Sequence, residues 1–192
     1  MHKVIYLTGA PAAGKSSTTR LMREELPDLL VWEYGAKLTE HCGARLTELA
    51  GQHELRAQSA ALITPDDVAA VDQELLDFVD EHRGRQHVVI DSHPVTKEEW
   101  GYRITPFSFQ QFARLLPDEI WLLYASPEET RRRIQEDAGG RPLVTEEEAR
   151  MHTMLQASVA ATYGMSIRCP VYMFDTGVAR QELVSRLVER LS

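Results

Sequence analysis

No stretch of the 192-residue sequence approaches the roughly 20 consecutive apolar residues that a membrane-crossing helix needs. The first apolar run, Val4 to Leu7, breaks at Gly9, so a secretory leader is not expected. The expectation is a soluble, cytoplasmic protein with no membrane partner. Cysteine is scarce: Cys42 and Cys169 stand far apart without metal-ligand spacing and read as buried thiols rather than a disulfide. Internal repeats, low-complexity tracts and Pro/Gly/Ser linkers are absent, and the length fits one domain spanning 1–192. Positive charge is in deficit, with 21 Lys and Arg against 29 Asp and Glu, a net −8. The acids are scattered, and such a surface repels a polyanion on average, so nucleic acid is not an expected partner. Any anionic ligand has to be held by a local concentration of positive groups.

What the sequence does contain is alternation. Five short apolar runs, "KVIYLT" (3–8), "LLVWEY" (29–34), "HVVIDS" (87–92), "EIWLLYA" (119–125) and "PVYMFD" (170–175), have strand length and are apolar on both faces. Helical patterns lie between them. Thr64-Pro65-Asp66-Asp67 supplies an N-cap, a proline at the first helical position and an acid at the third. Val68, Val71, Leu75, Phe78 and Val79 then form one stripe. Ser126-Pro127-Glu128-Glu129 and Thr145-Glu146-Glu147-Glu148 open two more helices, and Leu183, Leu187, Val188 and Leu191 line a last one. The pattern predicts an α/β fold with a mainly parallel sheet. Two segments break the alternation: a long polar stretch after the third strand, and the glycine-rich "DAGGRPLVT" (137–145). Loops beyond the carboxyl ends of parallel strands are where ligands bind, so both are candidate site elements.

The most specific signal is "YLTGAPAAGKSS" (6–17), in which Gly9-x-x-x-x-Gly14-Lys15-Ser16 has the spacing of a phosphate-binding loop. It follows an apolar strand and opens a helix, the context the motif requires. Its glycines let successive backbone N–H groups turn toward anionic oxygens, with Ala12 and Ala13 between them and Ser17 behind. Lys15 reaches the β- and γ-phosphates, Ser16 is placed to ligate Mg²⁺, and the helix start adds its positive dipole end. Asp91, at the tip of the third strand, either holds Mg²⁺ through water or caps the following loop. Asp91-Ser92-His93-Pro94 lacks the D-x-x-G turn of a GTPase, and the length leaves little room for a motor's lid domain. A small-molecule phosphotransferase remains.

With these residues in hand, the order of features resembles the nucleoside monophosphate kinases, most closely the archaeal-type adenylate kinases. The resemblance covers nearly the whole chain: "TGAPAAGKS", "EYGAKLTE" (33–40), "VIDSHPVTKEEWGY" (89–102), "RRI" (132–134), "EDAGGRPLVTEEEARMH" (136–152) and "ATYG" (161–164). It implies a three-layer P-loop kinase fold with five parallel strands, an acceptor-binding helical region near 35–65 and a short lid near 137–145. It implies Mg²⁺ and ATP, nucleotide substrates and, more weakly, a homo-oligomer. By the same resemblance Arg133 packs on the donor base, the alternative being a solvated helix face on which Arg131, Arg132 and Arg133 pair with Glu128 and Glu129, and Arg141 reaches the transferring phosphates from the lid. The chain departs from the family's second lid arginine, from an arginine at Ala157 and from its acceptor-side R-K-L-P segment, where Arg56 is the nearest arginine. Lys97 and Arg103 are placed to compensate or to serve another acceptor. His93 hydrogen-bonds an acceptor or caps a loop; Tyr34, Tyr102 and Phe107 wall an acceptor or belong to the core. The expected activity is phosphoryl transfer from Mg·ATP to a nucleoside monophosphate. A hydroxyl acceptor and a non-catalytic ATP-binding protein are the alternatives.

Overall fold

In a computed structural model, described here for residues 1–43, 63–136 and 142–192, the five apolar runs form one parallel sheet. They become β1 (Val4–Thr8), β2 (Leu30–Glu33), β3 (Val88–Asp91), β6 (Glu119–Tyr124) and β7 (Val171–Asp175), in the order β2-β3-β1-β6-β7. Every pairing is parallel, with Leu7 opposite both Asp91 and Trp121, and Glu33 opposite Asp91. Because side chains alternate along a strand, the sheet has two apolar faces. One carries Val4, Tyr6, Trp32, Val88, Ile90 and Ile120; the other carries Ile5, Leu7, Val89, Trp121 and Leu123.

Helices cover both faces, giving the predicted three layers. On the Tyr6 face lie α3 (Pro65–His82), α4 (Phe109–Leu115) and α6 (Glu146–Ile167), contributing Leu75, Phe112, Ala160 and Tyr163. On the Leu7 face lie α1 (Lys15–Glu25) and α7 (Arg180–Leu191), contributing Met22, Leu183, Leu187 and Leu191. The short α2 (Tyr34–His41) leaves β2 directly, and α5 (Pro127–Gln135) follows β6. The starts read from sequence are present: Thr64 and Thr145 form capping boxes with Asp67 and Glu148, and Ser126 accepts from the Glu129 amide. Cys42 and Cys169 are free and buried. No helix among the described residues is long and apolar enough to cross a membrane.

The polar stretch after β3 is a correction to the expected loop. Residues 95–104 fold into a hairpin of β4 (Val95–Glu98) and β5 (Gly101–Ile104), Val95 opposite Ile104 and Lys97 opposite Tyr102. Gly101 takes a φ of 126°, closing the turn. The hairpin stands on α6: Tyr102 Oη donates to the Glu148 carbonyl at 2.7 Å, and Lys97 meets the Glu148 carboxylate at 2.6 Å. A two-stranded ribbon is marginal alone, and the packing on α6 is what the sequence pattern did not display.

Candidate active site

The loop Gly9–Gly14 leaves β1 at the carboxyl edge of the sheet, next to where β1 meets β3 and β6. Gly9 passes so close to β6 that a Cβ there would run into the Leu123 carbonyl oxygen. Ala12 adopts φ 61° and Gly14 φ 88°, and the Ala13 amide closes a turn on the Ala10 carbonyl at 3.1 Å. Gly14 is the N-cap of α1 and supplies no side-chain cap, and no acid stands in the first turn. The first amides of a helix have no intrahelical acceptor, so the positive end of α1 faces outward unneutralised, as an anion site requires. Ser17 turns its hydroxyl to the Gly14 carbonyl at 2.9 Å, whereas the exposed Ser16 makes no such bond.

Lys15 donates to the Gly9 carbonyl at 3.1 Å and lies 3.8 Å from Asp91 Oδ1. Strand alternation explains the meeting. Leu7, Asp91 and Glu33 occupy matching register positions and so point to the α1 side of the sheet. Asp91 is 9% exposed, and burial holds its carboxyl above the usual carboxylate range; the Lys15 ammonium lowers it and Glu33 raises it. A buried carboxylate with a single cation at 3.8 Å beside a free hydroxyl is a hard-oxygen donor set with capacity for Mg²⁺. Ser16 and Asp91 are the residues that would hold it. Among the described residues no three His, Cys, Asp or Glu gather as a metal cage.

Arg133 on α5 is locked by four bonds. Its Nε donates to Glu129 at 2.7 Å, Nη1 to the Ala12 carbonyl at 3.2 Å and Thr176 Oγ1 at 2.8 Å, and Nη2 to the Thr176 carbonyl at 2.7 Å. It ties the phosphate loop to the turn after β7, its guanidinium edge spent on the protein. Its neighbours are surface pairs: Arg131 with Glu146, and Arg132 with Glu129 and Glu136. Arg141, the expected lid arginine, lies outside the described residues, as does Arg56.

Tyr34 and Phe107 pack against the core on the Tyr6 face, one of the two placements the sequence allowed them. Tyr34 and Phe107 meet edge to face at 5.4 Å, and Tyr34 Oη donates to the buried Asp72 carboxylate at 2.7 Å. Burial, with the Asp72 contact second, holds the Tyr34 hydroxyl far above its ordinary range, so it stays protonated. His93 is exposed, its ring 3.8 Å from where a Cβ on Gly35 would stand. The two cations placed to compensate are occupied: Arg103 by Glu98 at 2.7 Å and Lys97 by Glu148. Tyr102 packs its ring on His152 rather than facing an acceptor, the centroids 5.3 Å apart.

Three residues escaped the sequence reading. Thr176 anchors Arg133. Gln156, fully buried, accepts from Thr8 at 3.2 Å and donates to the Val95 carbonyl at 3.3 Å, joining the base of the loop to the hairpin. Glu33, an acid ending an apolar run as Asp91 does, bore the same signal and stands beside it.

Similarity to known proteins agrees with this geometry. The chain is 26% identical over 202 residues to the adenylate kinase of Pyrococcus furiosus, covering 98% of this chain and 94% of the relative. It is 28% identical over 149 residues to that of Pyrobaculum aerophilum, covering 77% and 72%. Among solved structures it is similar to a sugar kinase from Janibacter sp. HTCC2649, with TM-score 0.56, 12% identity and coverage of 98% and 94%. It is also similar to the shikimate kinase of Bacteroides thetaiotaomicron, with TM-score 0.54, 16% identity and 98% of each chain covered. These likenesses establish the P-loop kinase fold. A family model described as an AAA domain matches residues 8–150, from the last residue of β1 into the first turns of α6, and the chain therefore belongs to that AAA domain family of P-loop proteins.

Proposed function

We propose that this chain is an Mg·ATP-dependent phosphotransferase that passes the γ-phosphoryl group to a small acceptor. One observation carries the reading: an uncapped helix start, Lys15 and Asp91 converge at the carboxyl edge of a parallel sheet. In it Gly9, Ala12, Ala13, Gly14, Lys15, Ser16 and Ser17 surround the donor phosphates. Lys15 exchanges its bond to the Gly9 carbonyl for phosphate oxygens and neutralises charge as it moves to the leaving group. Ser16 and Asp91 would hold Mg²⁺, which when bound would supply charge neutralisation to the transferring group. Arg133 fixes the loop against the turn after β7 and offers its flat face, rather than its edge, to a base. Arg141 is assigned to the transferring group by resemblance alone.

For the acceptor, a nucleoside monophosphate is supported by the likeness to archaeal adenylate kinases over nearly the whole chain. A hydroxyl acceptor is favoured by the charge of the rim, where Glu33 and Asp91 stand side by side and Lys97 and Arg103 are engaged. Tyr34, His93 and Phe107 flank either one. ADP release with Mg·ATP, measured against a series of monophosphates and uncharged nucleosides, tests the proposal. Acceptor-stimulated turnover is the expected result; tight ATP binding with no stimulation by any acceptor would point to the non-catalytic alternative.

A further inference from the structure

We infer that Glu33 receives the proton of the attacking group, and that this group is a neutral hydroxyl rather than a phosphate oxygen. The inference rests on the phosphotransferase reading and narrows its acceptor class. Glu33 ends β2 in register with Asp91, one strand spacing of about 4.8 Å away, on the α1 side of the sheet. The two carboxylates have different surroundings. Asp91 is buried and faced by Lys15, as suits charge fixed beside a metal. Glu33 is exposed, and among the described residues its carboxylate makes no hydrogen bond or ion pair. It does not serve its own helix either, since it is the N-cap of α2 without a side-chain cap bond. Glu33 and Ser16 line one cleft between α1 and the edge strand β2. A group seated there is in reach of the site assigned to the donor phosphates and of an uncommitted carboxylate.

Charge decides what that group is. A phosphate acceptor would bring about two negative charges beside two carboxylates at the strand tips, and like charges that close repel. Among the described cations near that rim, Lys37, Lys97 and Arg103 each close an ion pair with a glutamate. Arg20 and Arg23 also line the cleft: Arg20 is paired with Glu24 at 2.7 Å, and Arg23 lies seven residues along α1 from Ser16, about 10 Å, so it meets the far end of an acceptor rather than its reacting end. A hydroxyl has the opposite requirement. Its oxygen attacks the γ-phosphorus and forms the new P–O bond, while the bond from that phosphorus to the β–γ bridging oxygen breaks and ADP leaves with the electron pair. The hydroxyl proton passes to the Glu33 carboxylate and from there to water. A carboxylate acceptor within hydrogen-bond reach is what that transfer needs.

The experiment compares wild type with Glu33→Gln and Glu33→Asp. ADP release is followed with water alone, with adenosine, uridine, ribose and glucose, and with AMP, UMP and CMP. Mg·ATP affinity is measured separately. Neutral compounds are expected to raise wild-type turnover, and the monophosphates are not. E33Q is expected to lose about 100-fold in kcat, including kcat for attack by water, with Mg·ATP affinity within about threefold. E33D, which keeps a carboxylate on a shorter arm, is expected to retain more activity than E33Q. Stimulation by any monophosphate, or E33Q turnover within about threefold of wild type, overturns the inference. A wild-type chain that binds Mg·ATP and yet turns it over with none of these, water included, overturns the phosphotransferase reading itself.

Discussion

At the residue scale, the site is built from side chains held at some expense to the fold. Asp91 is the clearest case. Burial raises its carboxyl above the usual range, against the lowering by Lys15. An acid whose folded value lies above its unfolded one binds its proton more tightly in the folded state. Its contribution to stability is therefore highest at acid pH and falls as pH rises through the usual carboxylate range toward the raised folded value. Above that raised value the ionised Asp91 opposes folding of the nucleotide-free protein. Asp91→Asn is expected to raise the melting temperature at pH 7 and to have less effect near pH 4, while lowering turnover by 100-fold or more. Melting curves at both pH values with ADP-release rates check this; a D91N protein less stable than wild type at pH 7 would contradict it. The phosphate loop and Asp91 were legible because their residue types and spacing are themselves the signal. Glu33 carried the same signal as Asp91, but only strand pairing sets the two acids next to each other.

At the element scale, helices and strands followed their local cues, and the misreadings arose where an element depends on a distant partner. The hairpin 95–104 is polar along much of its length, because one side faces solvent and Trp100 at its turn is 92% exposed. What holds it is α6, through Glu148, Gln156 and the buried His152, whose Nε2 lies 3.0 Å from the Val95 carbonyl. Helix α6 in turn rests on the sheet at a small residue. A Cβ on Gly164 would collide with Val171 of β7 and come within 2.7 Å of the Cys169 carbonyl oxygen. Replacing glycine within a helix normally gains up to about 1 kcal/mol in propensity. Here a backbone obstacle opposes that gain, and overpacking costs about 1–3 kcal/mol. Gly164→Ala is expected to lower the urea midpoint, with the loss read from equilibrium unfolding. A midpoint raised by the substitution would mean that α6 does not pack at this distance.

At the scale of the whole molecule, the loop and the strand that feeds it are braced at two points. On one side Arg133 bonds the loop to Thr176; on the other, Thr8 bonds to Gln156 and so to α6. A ligand held at such a junction stabilises the entire fold, because it binds the native state alone. At 100 times the dissociation constant the gain is about 2.7 kcal/mol. For a chain of this size that corresponds to a rise of roughly 5–10 °C in melting temperature. Mg·ATP is expected to produce this rise in wild type, and Lys15→Ala to abolish it without lowering the melting temperature of the free protein by more than a few degrees. A full shift in the lysine variant would remove Lys15 from phosphate binding.

By itself the sequence determined the parallel strands, their helical covers and the phosphate loop, because each is set by residues near one another in the chain: apolar runs, N-caps and a fixed glycine spacing. Which residues meet across the sheet was decided only in the tertiary structure. Glu33 beside Asp91, Arg133 clasped by Thr176, and the hairpin standing on α6 all join positions from 43 to 61 residues apart in these pairs. Contacts that distant leave no local pattern, since each end obeys its own neighbours until packing brings the two together.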